Sequence, residues 1–299
     1  MNALVRTAVW RSSQFWSFEA KQRAMPRGMS SLVIVLAFLL LAASFAPAQT
    51  TTRASSVPAA VVAGSDQQAA ALAAQARSAL SGSVISDIQL SASSEWIAGS
   101  TRASGTATLK IKEASASRLD ISAGAFSRSE IRNDSAGSDG QWIDANGLRH
   151  AMAMHNCWVP AGWFAPHAIV QAMSAANVAT RHLGRETRGG IAFDHVQLRR
   201  TNSEKNPKIA QDLERLSTVD IFFDPATHLP ITLVYNTHPD NDYERDIPVE
   251  IRFSDYRNVD GVMVPFRIQR LLQGVLNLDL TVSKATINHG LADGEFALQ

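Results

Sequence analysis

Residues 105–112 read Gly-Thr-Ala-Thr-Leu-Lys-Ile-Lys, and this stretch decides the fold of the chain. Small or apolar residues occupy its odd positions, and threonine or lysine occupies every even position. Successive side chains of a β-strand point to opposite faces, so this period of two places all the apolar residues on one face. The stretch therefore predicts a strand with one buried face and one face in water.

Further stretches repeat this alternation, and turn sequences separate the strand candidates. The clearest alternating stretches are residues 219–223, 231–235, 249–253, 262–268 and 276–282. The turn signals are Asp139-Gly140, Asn146-Gly147, Gly189-Gly190, Asp224-Pro225 and Asp260-Gly261. Residues of these types tolerate positive φ or preset a turn, so they favour antiparallel hairpins. About a dozen strand candidates without a strand–helix–strand rhythm predict a mainly β, α+β fold rather than a parallel sheet.

Three stretches predict helices beside the sheet. Ser65-Asp66-Gln67-Gln68 has the spacing of a capping box and precedes an alanine-rich stretch. A second helix is predicted over residues 163–176, with Pro166 suited to its first turn and Ala165 as a poor cap. Residues 207–216 predict a helical turn within a long hairpin loop. We therefore expect one curved antiparallel sheet with one or two helices packed against it.

The N-terminal part of the chain has the order of a secretory signal sequence. Residues 32–43 are an unbroken apolar run that follows Arg27 and precedes the small residues Ala46-Pro47-Ala48. The run is shorter than the ~20 apolar residues that a membrane-spanning helix needs, which argues against the alternative of a retained anchor. We therefore predict a signal peptide over residues 1–48, cleaved near Ala48, and a protein exported to the periplasm or the extracellular space.

The remainder of the chain predicts one domain behind a tether. Residues 49–64 are mostly threonine, serine, alanine and valine, which is typical of a flexible tether. Residues 65–299 contain no internal repeat and no second boundary, so we expect a single domain there. Cys157 is the only cysteine, so no lipid-bearing cysteine follows the apolar run and no internal disulfide can form. After cleavage, the product is expected not to be an integral membrane protein.

The balance of charge excludes one class of partner. Five of the 28 basic residues and one of the 27 acidic residues lie within residues 1–48, which leaves 23 basic against 26 acidic residues. A slightly negative chain offers no basic surface for nucleic acid or for an anionic membrane. We therefore expect no nucleic-acid partner.

Three segments of the second half resemble a known family of envelope proteins. Residues 183–196 read Leu-Gly-Arg-Glu-Thr-Arg-Gly-Gly-Ile-Ala-Phe-Asp-His-Val, residues 223–231 read Phe-Asp-Pro-Ala-Thr-His-Leu-Pro-Ile, and residues 253–266 read Phe-Ser-Asp-Tyr-Arg-Asn-Val-Asp-Gly-Val-Met-Val-Pro-Phe. These segments resemble hairpins of periplasmic proteins similar to the outer-membrane lipoprotein-sorting (LolA/LolB-like) family. The resemblance implies an incomplete β-barrel whose concave apolar face is covered by helices and holds acyl chains.

Signals for catalysis or metal binding are weak in this chain. His150, His155 and Cys157 form the best candidate metal cluster, but their spacing matches no established zinc or copper site. On a strand, positions 150 and 155 would also face opposite sides. The chain has no Gly-x-Ser-x-Gly elbow and no glycine-rich phosphate loop. We therefore predict no metal site, no cofactor and no catalytic residue.

Aromatic residues at the junction of the sheet and the second helix are the remaining functional signal. Trp142, Trp158, Trp163 and Phe164 gather there, which fits a lid over an apolar cleft, although core packing also explains such residues. We predict a non-catalytic carrier or binder of a hydrophobic ligand, either a lipid or an acylated molecule. The predicted contact residues are Leu109, Ile111, Trp163, Phe164, Ile221, Phe223, Leu233 and Phe253. The alternatives are an interaction module with a filled core that docks envelope proteins and, less favoured, a metal-dependent enzyme built on the histidine–cysteine cluster.

Overall fold

The computed structural model describes residues 66–134 and 139–298. The predicted signal peptide, residues 1–48, and the predicted tether, residues 49–64, lie outside the described residues, as does Ser65. The described part contains thirteen β-strands, three α-helices and two short 3-10 helices. It is therefore mainly β, as predicted.

The elements have the following bounds. The helices are α1, Gln67–Leu80, α2, Pro166–Ala172, and α3, Pro207–Ser217, and the 3-10 helices are Met154–Cys157 and Asp293–Phe296. The strands are β1, Asp87–Ala98, β2, Thr101–Lys112, β3, Ala116–Ala123, β4, Phe126–Asn133, β5, Asp139–Ile143, β6, Arg149–Ala151, β7, Val178–Arg188, β8, Ile191–Arg200, β9, Val219–Phe223, β10, Pro230–Thr237, β11, Ile247–Val259, β12, Val262–Leu272, and β13, Val275–Ile287.

All these strands belong to one antiparallel sheet with the order β6-β5-β4-β3-β2-β1-β13-β12-β11-β10-β9-β8-β7. The first strand pairs with the last, and β6 and β7 are the two edges. A contact between distant strands shows that the sheet curls. The Asp134 carboxylate, which directly follows β4, lies 3.2 Å from the Arg200 guanidinium of β8. Eight strands separate β4 from β8 in the sheet order. The architecture is thus an open, curled sheet, as the resemblance implied.

Two of the predicted turns are confirmed by their backbone angles, and one is wrong. Asp260 and Gly261 join β11 to β12 with φ values of 51° and 84°, and the Gly189-Gly190 pair joins β7 to β8 at 57° and 83°. Asp139-Gly140, in contrast, forms the first two residues of β5 and pairs with β4. A Cβ atom on Gly140 would lie 2.7 Å from the Met152 sulfur, so this glycine permits a close approach rather than a turn.

The first helix begins one residue later than the predicted capping box. Asp66, rather than Ser65, is the N-cap, and its Oδ1 accepts a hydrogen bond from the Ala69 amide at 2.6 Å. The second oxygen of the same carboxylate accepts from the His182 amide of β7 at 2.7 Å, and the Asp66 amide donates to Thr180 O at 2.9 Å. Asp66 therefore caps α1 and also fixes its start to the edge strand β7.

The second helix is shorter than predicted, since α2 ends at Ala172 and begins only at Pro166. Ala165 precedes it without a side-chain hydrogen bond, as expected from its residue type. Helices α1 and α2 contact each other, whereas α3 packs against β8. The prediction of one or two helices on the sheet therefore fits α1 and α2, and α3 is a third helix outside that layer.

One apolar core lies between the concave face of the sheet and the layer formed by α1 and α2. Leu90 of β1 faces Leu109 of β2 and, further along, Leu109 faces Leu119 of β3, so one row of partners across these strands is buried. The helices contribute mostly small side chains to this core. These helix residues are Ala69, Leu72, Ala73, Ala76 and Leu80 from α1 and Ala168, Ile169 and Val170 from α2.

Candidate functional site

Residues 152–165 connect β6 to α2 and cross the concave side of the sheet as a strap. Arg132 of β4 holds one part of the strap, because its Nη2 donates to Cys157 O at 2.7 Å and to Val159 O at 2.6 Å. The Arg132 side chain is buried, with 6% of the residue exposed. Hydrogen bonds from a guanidinium to a carbonyl are charge-assisted, so this one side chain is a principal anchor of the strap.

The strap is held from the other side of the curled sheet as well. The Asn156 side chain donates to His238 O at 2.8 Å and accepts from the His238 amide at 2.9 Å, and Thr237 donates to it at 3.0 Å. His155 Nε2 lies 3.2 Å from Pro239 O. Thr237 ends β10, and His238 and Pro239 follow it. Six strands separate β10 from β4 in the sheet order, so the strap spans the opening of the curl.

A cavity of about 230 Å³ lies beside the strap, where the ends of β4 and β8 meet. Arg200 crosses it, with Nε donating to Trp158 O at 2.9 Å and Nη2 at 3.2 Å from the Asp134 carboxylate. Burial raises the pKa of Asp134, although the charges of Arg132 and Arg200 oppose the shift. The wall is mixed in character, and it includes Leu198 and the alanines at the end of α2.

All eight predicted contact residues lie in the one core that the curled sheet encloses. Each is at most 5% exposed, and each belongs to the cluster that also contains the buried side chains of α1 and α2. The strand members are Leu109 and Ile111 of β2, Ile221 and Phe223 of β9, Leu233 of β10 and Phe253 of β11, and the strap members are Trp163 and Phe164. Their contact with a ligand stays a prediction.

Protein atoms fill most of the space between the sheet and its lid. The cavity beside Phe164, where α2 meets β1 and β12, has a volume of only about 10 Å³. His167 lines this cavity, and burial lowers its pKa to about 4, so the imidazole is neutral near pH 7 and compatible with the apolar surroundings. Beside Phe164, a hydrophobic ligand would therefore have to displace α2 or the strap to reach the sheet.

The three residues of the candidate metal cluster have separate surroundings. The His150 ring stacks on Trp142 with a centroid distance of 3.8 Å, and His155 faces the Pro239 carbonyl. Cys157 is buried with a free thiol, and burial raises its pKa. Among residues 66–134 and 139–298, no group of three histidine, cysteine, aspartate or glutamate side chains is placed to hold a metal ion.

A set of charged side chains on the concave face was not predicted from the sequence. Arg128, Glu130 and Arg132 of β4 face inwards, because their partners across β3 include the buried Leu119 and Ile121. The signal was present as alternating charged positions in β4. It could not be used without the pairing of β4 with β3, since alternation alone does not say which face is inside.

No helix in the described part of the chain is long and apolar enough to cross a membrane.

Comparison with known proteins places this architecture in a class of folds. No protein-family model and no curated protein matches the chain. A LolA superfamily protein from Nitrosomonas europaea is similar in structure, with a TM-score of 0.50 and 12% identity over 77% of this chain and 97% of that one. A DUF1329 family protein from Desulfovibrio piger gives a TM-score of 0.50 and 12% identity over 78% and 98%. An outer membrane lipoprotein-sorting protein domain from Vibrio parahaemolyticus gives 0.49 and 12% over 75% and 94%.

The open, curled antiparallel sheet with a helical lid is therefore an incomplete β-barrel of the kind that these structures share. More particularly, the chain has a LolA-like fold. The resemblance found in the sequence is confirmed at the level of the fold.

Proposed function

We propose that this protein is a non-catalytic binder or carrier of a hydrophobic ligand, a lipid or an acylated molecule, in the cell envelope. The observation that carries the proposal is the largely apolar concave face, covered by a lid of three parts. The lid comprises α1, the seven-residue α2 and the strap. The LolA-like fold and the signal-like N-terminal sequence support a role of this kind outside the cytoplasm.

The lid offers a physical route for the ligand. The buried face of α1 consists of three alanines and two leucines, so the apolar area that it covers per turn is small. A buried methylene contributes about 0.8 kcal/mol, and a chain of roughly 14 carbons offers about 10 kcal/mol before the costs of association. A long acyl chain can therefore replace the contacts of a lid helix that uses mostly alanine.

The absence of catalysis is part of the same proposal. Cys157 is the one thiol of the chain, and burial raises its pKa, which keeps it protonated and unreactive near pH 7. The Asp134 carboxylate beside the larger cavity is occupied by Arg200. These groups stabilise the strap and the closure of the sheet, and carriage of a ligand requires no bond to be made or broken.

Trp163→Ala is expected to weaken binding of a fluorescent fatty acid by about tenfold or more, because the indole is a large apolar surface of the lid. Because the Trp163 side chain is buried, the melting temperature of the variant should also fall, so binding is measured well below that temperature. The matched control is Leu148→Ala, which removes a side chain that is 58% exposed and lies outside the strap. Titration of each purified variant with the probe measures the affinity.

If the unaltered protein shows no saturable binding of the probe at micromolar concentrations, the proposal fails. The small cavity beside Phe164 would then favour the second candidate function, an interaction module with a filled core that docks envelope proteins.

A further inference from the structure

The concave face is not uniformly apolar, because a polar cluster lies within the curl. We call it the inner arginine cluster: Arg128, Arg132 and Arg270 with Glu130 and Tyr235. Arg128 and Glu130 form an ion pair, with Arg128 Nε 2.8 Å from Glu130 Oε1. Arg270 of β12 and Tyr235 of β10 reach the cluster from the other side of the curl, and four strands separate β4 from β12.

The charged groups of the cluster act on one another's pKa values. Burial disfavours the charged form of Glu130, yet the positive charges of Arg128, Arg270 and Arg132 outweigh it and lower the pKa of Glu130. Burial raises the pKa of Tyr235 to about 12, although Arg270 and Arg132 oppose the shift. Charges on strands far apart in the sheet order thus act on the same buried region.

Positive charge exceeds negative charge in this region. Within the described residues, neither Arg132 nor Arg270 forms an ion pair with a carboxylate. Arg270 donates to the neutral Asn277 Oδ1 at 3.0 Å, and the buried Arg132 Nε has no hydrogen-bond partner in the described part of the chain. The nearby Asp134 carboxylate is paired with Arg200, so it does not neutralise the excess positive charge of the cluster.

Aromatic rings pack beside the guanidinium groups of Arg128 and Arg270. The Arg128 Cζ atom lies 4.3 Å from the Trp142 ring centroid. The Arg270 Cζ atom lies 5.3 Å from the Trp163 ring and 5.7 Å from the Trp96 ring. A guanidinium that packs on a ring face keeps its in-plane N–H groups free to donate to an anion.

We propose that the ligand is an anionic amphiphile, whose carboxylate or phosphate headgroup binds at the inner arginine cluster while its acyl chain lies along the apolar part of the concave face. This inference rests on the proposed function, because it names the class of the hydrophobic ligand. Desolvated arginines without carboxylate partners are costly to bury, and an anionic headgroup supplies the missing charge with paired hydrogen bonds. Trp163 belongs both to the lid and to the surroundings of Arg270, so the two parts of the site adjoin.

The test compares a fluorescent fatty acid with its methyl ester, which has the same chain and no charge. The unaltered protein should bind the acid about tenfold or more tightly than the ester. Arg270→Gln should abolish this preference and leave the affinity for the ester within about twofold. The matched control is Arg267→Gln on the same strand, since Arg267 is 52% exposed and pairs with Asp279 on the opposite face.

A second variant, Arg128→Gln, keeps the test decisive if Arg270→Gln does not fold, because the Arg128 side chain is 24% exposed. It should reduce the preference for the acid in the same direction. Competition by a lysophosphatidic acid against the bound fatty acid, compared with competition by inorganic phosphate, separates a phosphate headgroup on a chain from a free anion.

Equal affinity for acid and ester in the unaltered protein would overturn the anionic ligand and leave the proposed function intact. An acid preference that survives Arg270→Gln and Arg128→Gln would overturn the assigned headgroup site. If neither probe binds, the proposed function itself is wrong, and the anionic ligand falls with it.

Discussion

Gly105→Ala is expected to destabilise the domain by more than about 4 kcal/mol and to lower its melting temperature by more than about 10 °C. Gly105 lies within β2 opposite Ala123 of β3. A Cβ atom there would lie 1.8 Å from the Ser122 backbone oxygen and 2.7 Å from the Ala123 Cα atom. The obstacle is backbone, so no side-chain rotation can relieve the clash, and the pairing of β2 with β3 must open.

Thermal and urea unfolding followed by circular dichroism measure this effect. Gly82→Ala is the control, since a Cβ atom at Gly82 meets nothing within 4 Å and this glycine is not at positive φ. Equal stability of Gly105→Ala and the unaltered protein would mean that β2 and β3 do not approach each other in this register.

Arg132→Met should lower the free energy of unfolding by about 3 kcal/mol and release the strap. The substitution keeps the apolar bulk of the side chain and removes the donors to the carbonyls of Cys157 and Val159. Two buried carbonyl groups are then left without their charged partner, which costs more than the loss of a surface contact. The strap segment, residues 152–165, should become sensitive to limited proteolysis before the sheet unfolds.

Arg267→Met provides the comparison, because it also replaces an arginine by methionine but at an exposed ion pair, where the expected change is within about 1 kcal/mol. Cleavage in the strap at the same rate in Arg132→Met and in the unaltered protein would contradict the role given to Arg132.

The strands with clear alternation were predictable because that signal is local. The alternation in residues 105–112 requires no knowledge of the partner strand, and β2 lies where the pattern placed it. The paired glycines and the Asp260-Gly261 turn are likewise local, since positive φ depends on the residue type. Asp139-Gly140 has the same residue types but serves close packing, so its sequence signal and its structural reason differ.

The polar part of the candidate site was not predictable, because it depends on which face of β4 is inside. The one large apolar residue in the middle of β4, Ile131, suggests that its own face is the buried one. Ile131 is buried, but it is absent from the concave core, and the C-terminal 3-10 helix Asp293–Phe296 packs against β3 and β4. The opposite face therefore carries Arg128, Glu130 and Arg132 into the curl.

The apolar contact residues were also only partly predictable from the sequence. Alternation placed Leu109 and Phe253 among the predicted contact residues, and both lie in one core. Whether that surface meets a ligand or only the lid depends on the free energy of displacing α1, α2 and the strap. Alternation is the same in both cases, so only a binding measurement separates them.

Native mass spectrometry of the protein purified from membranes tests the central claim most directly. We expect a population whose mass exceeds that of the polypeptide by one lipid or acylated molecule. Collisional activation should release this ligand, and the released ligand should be an anion. A polypeptide mass alone, both as purified and after incubation with a lipid extract of the same membranes, would contradict it.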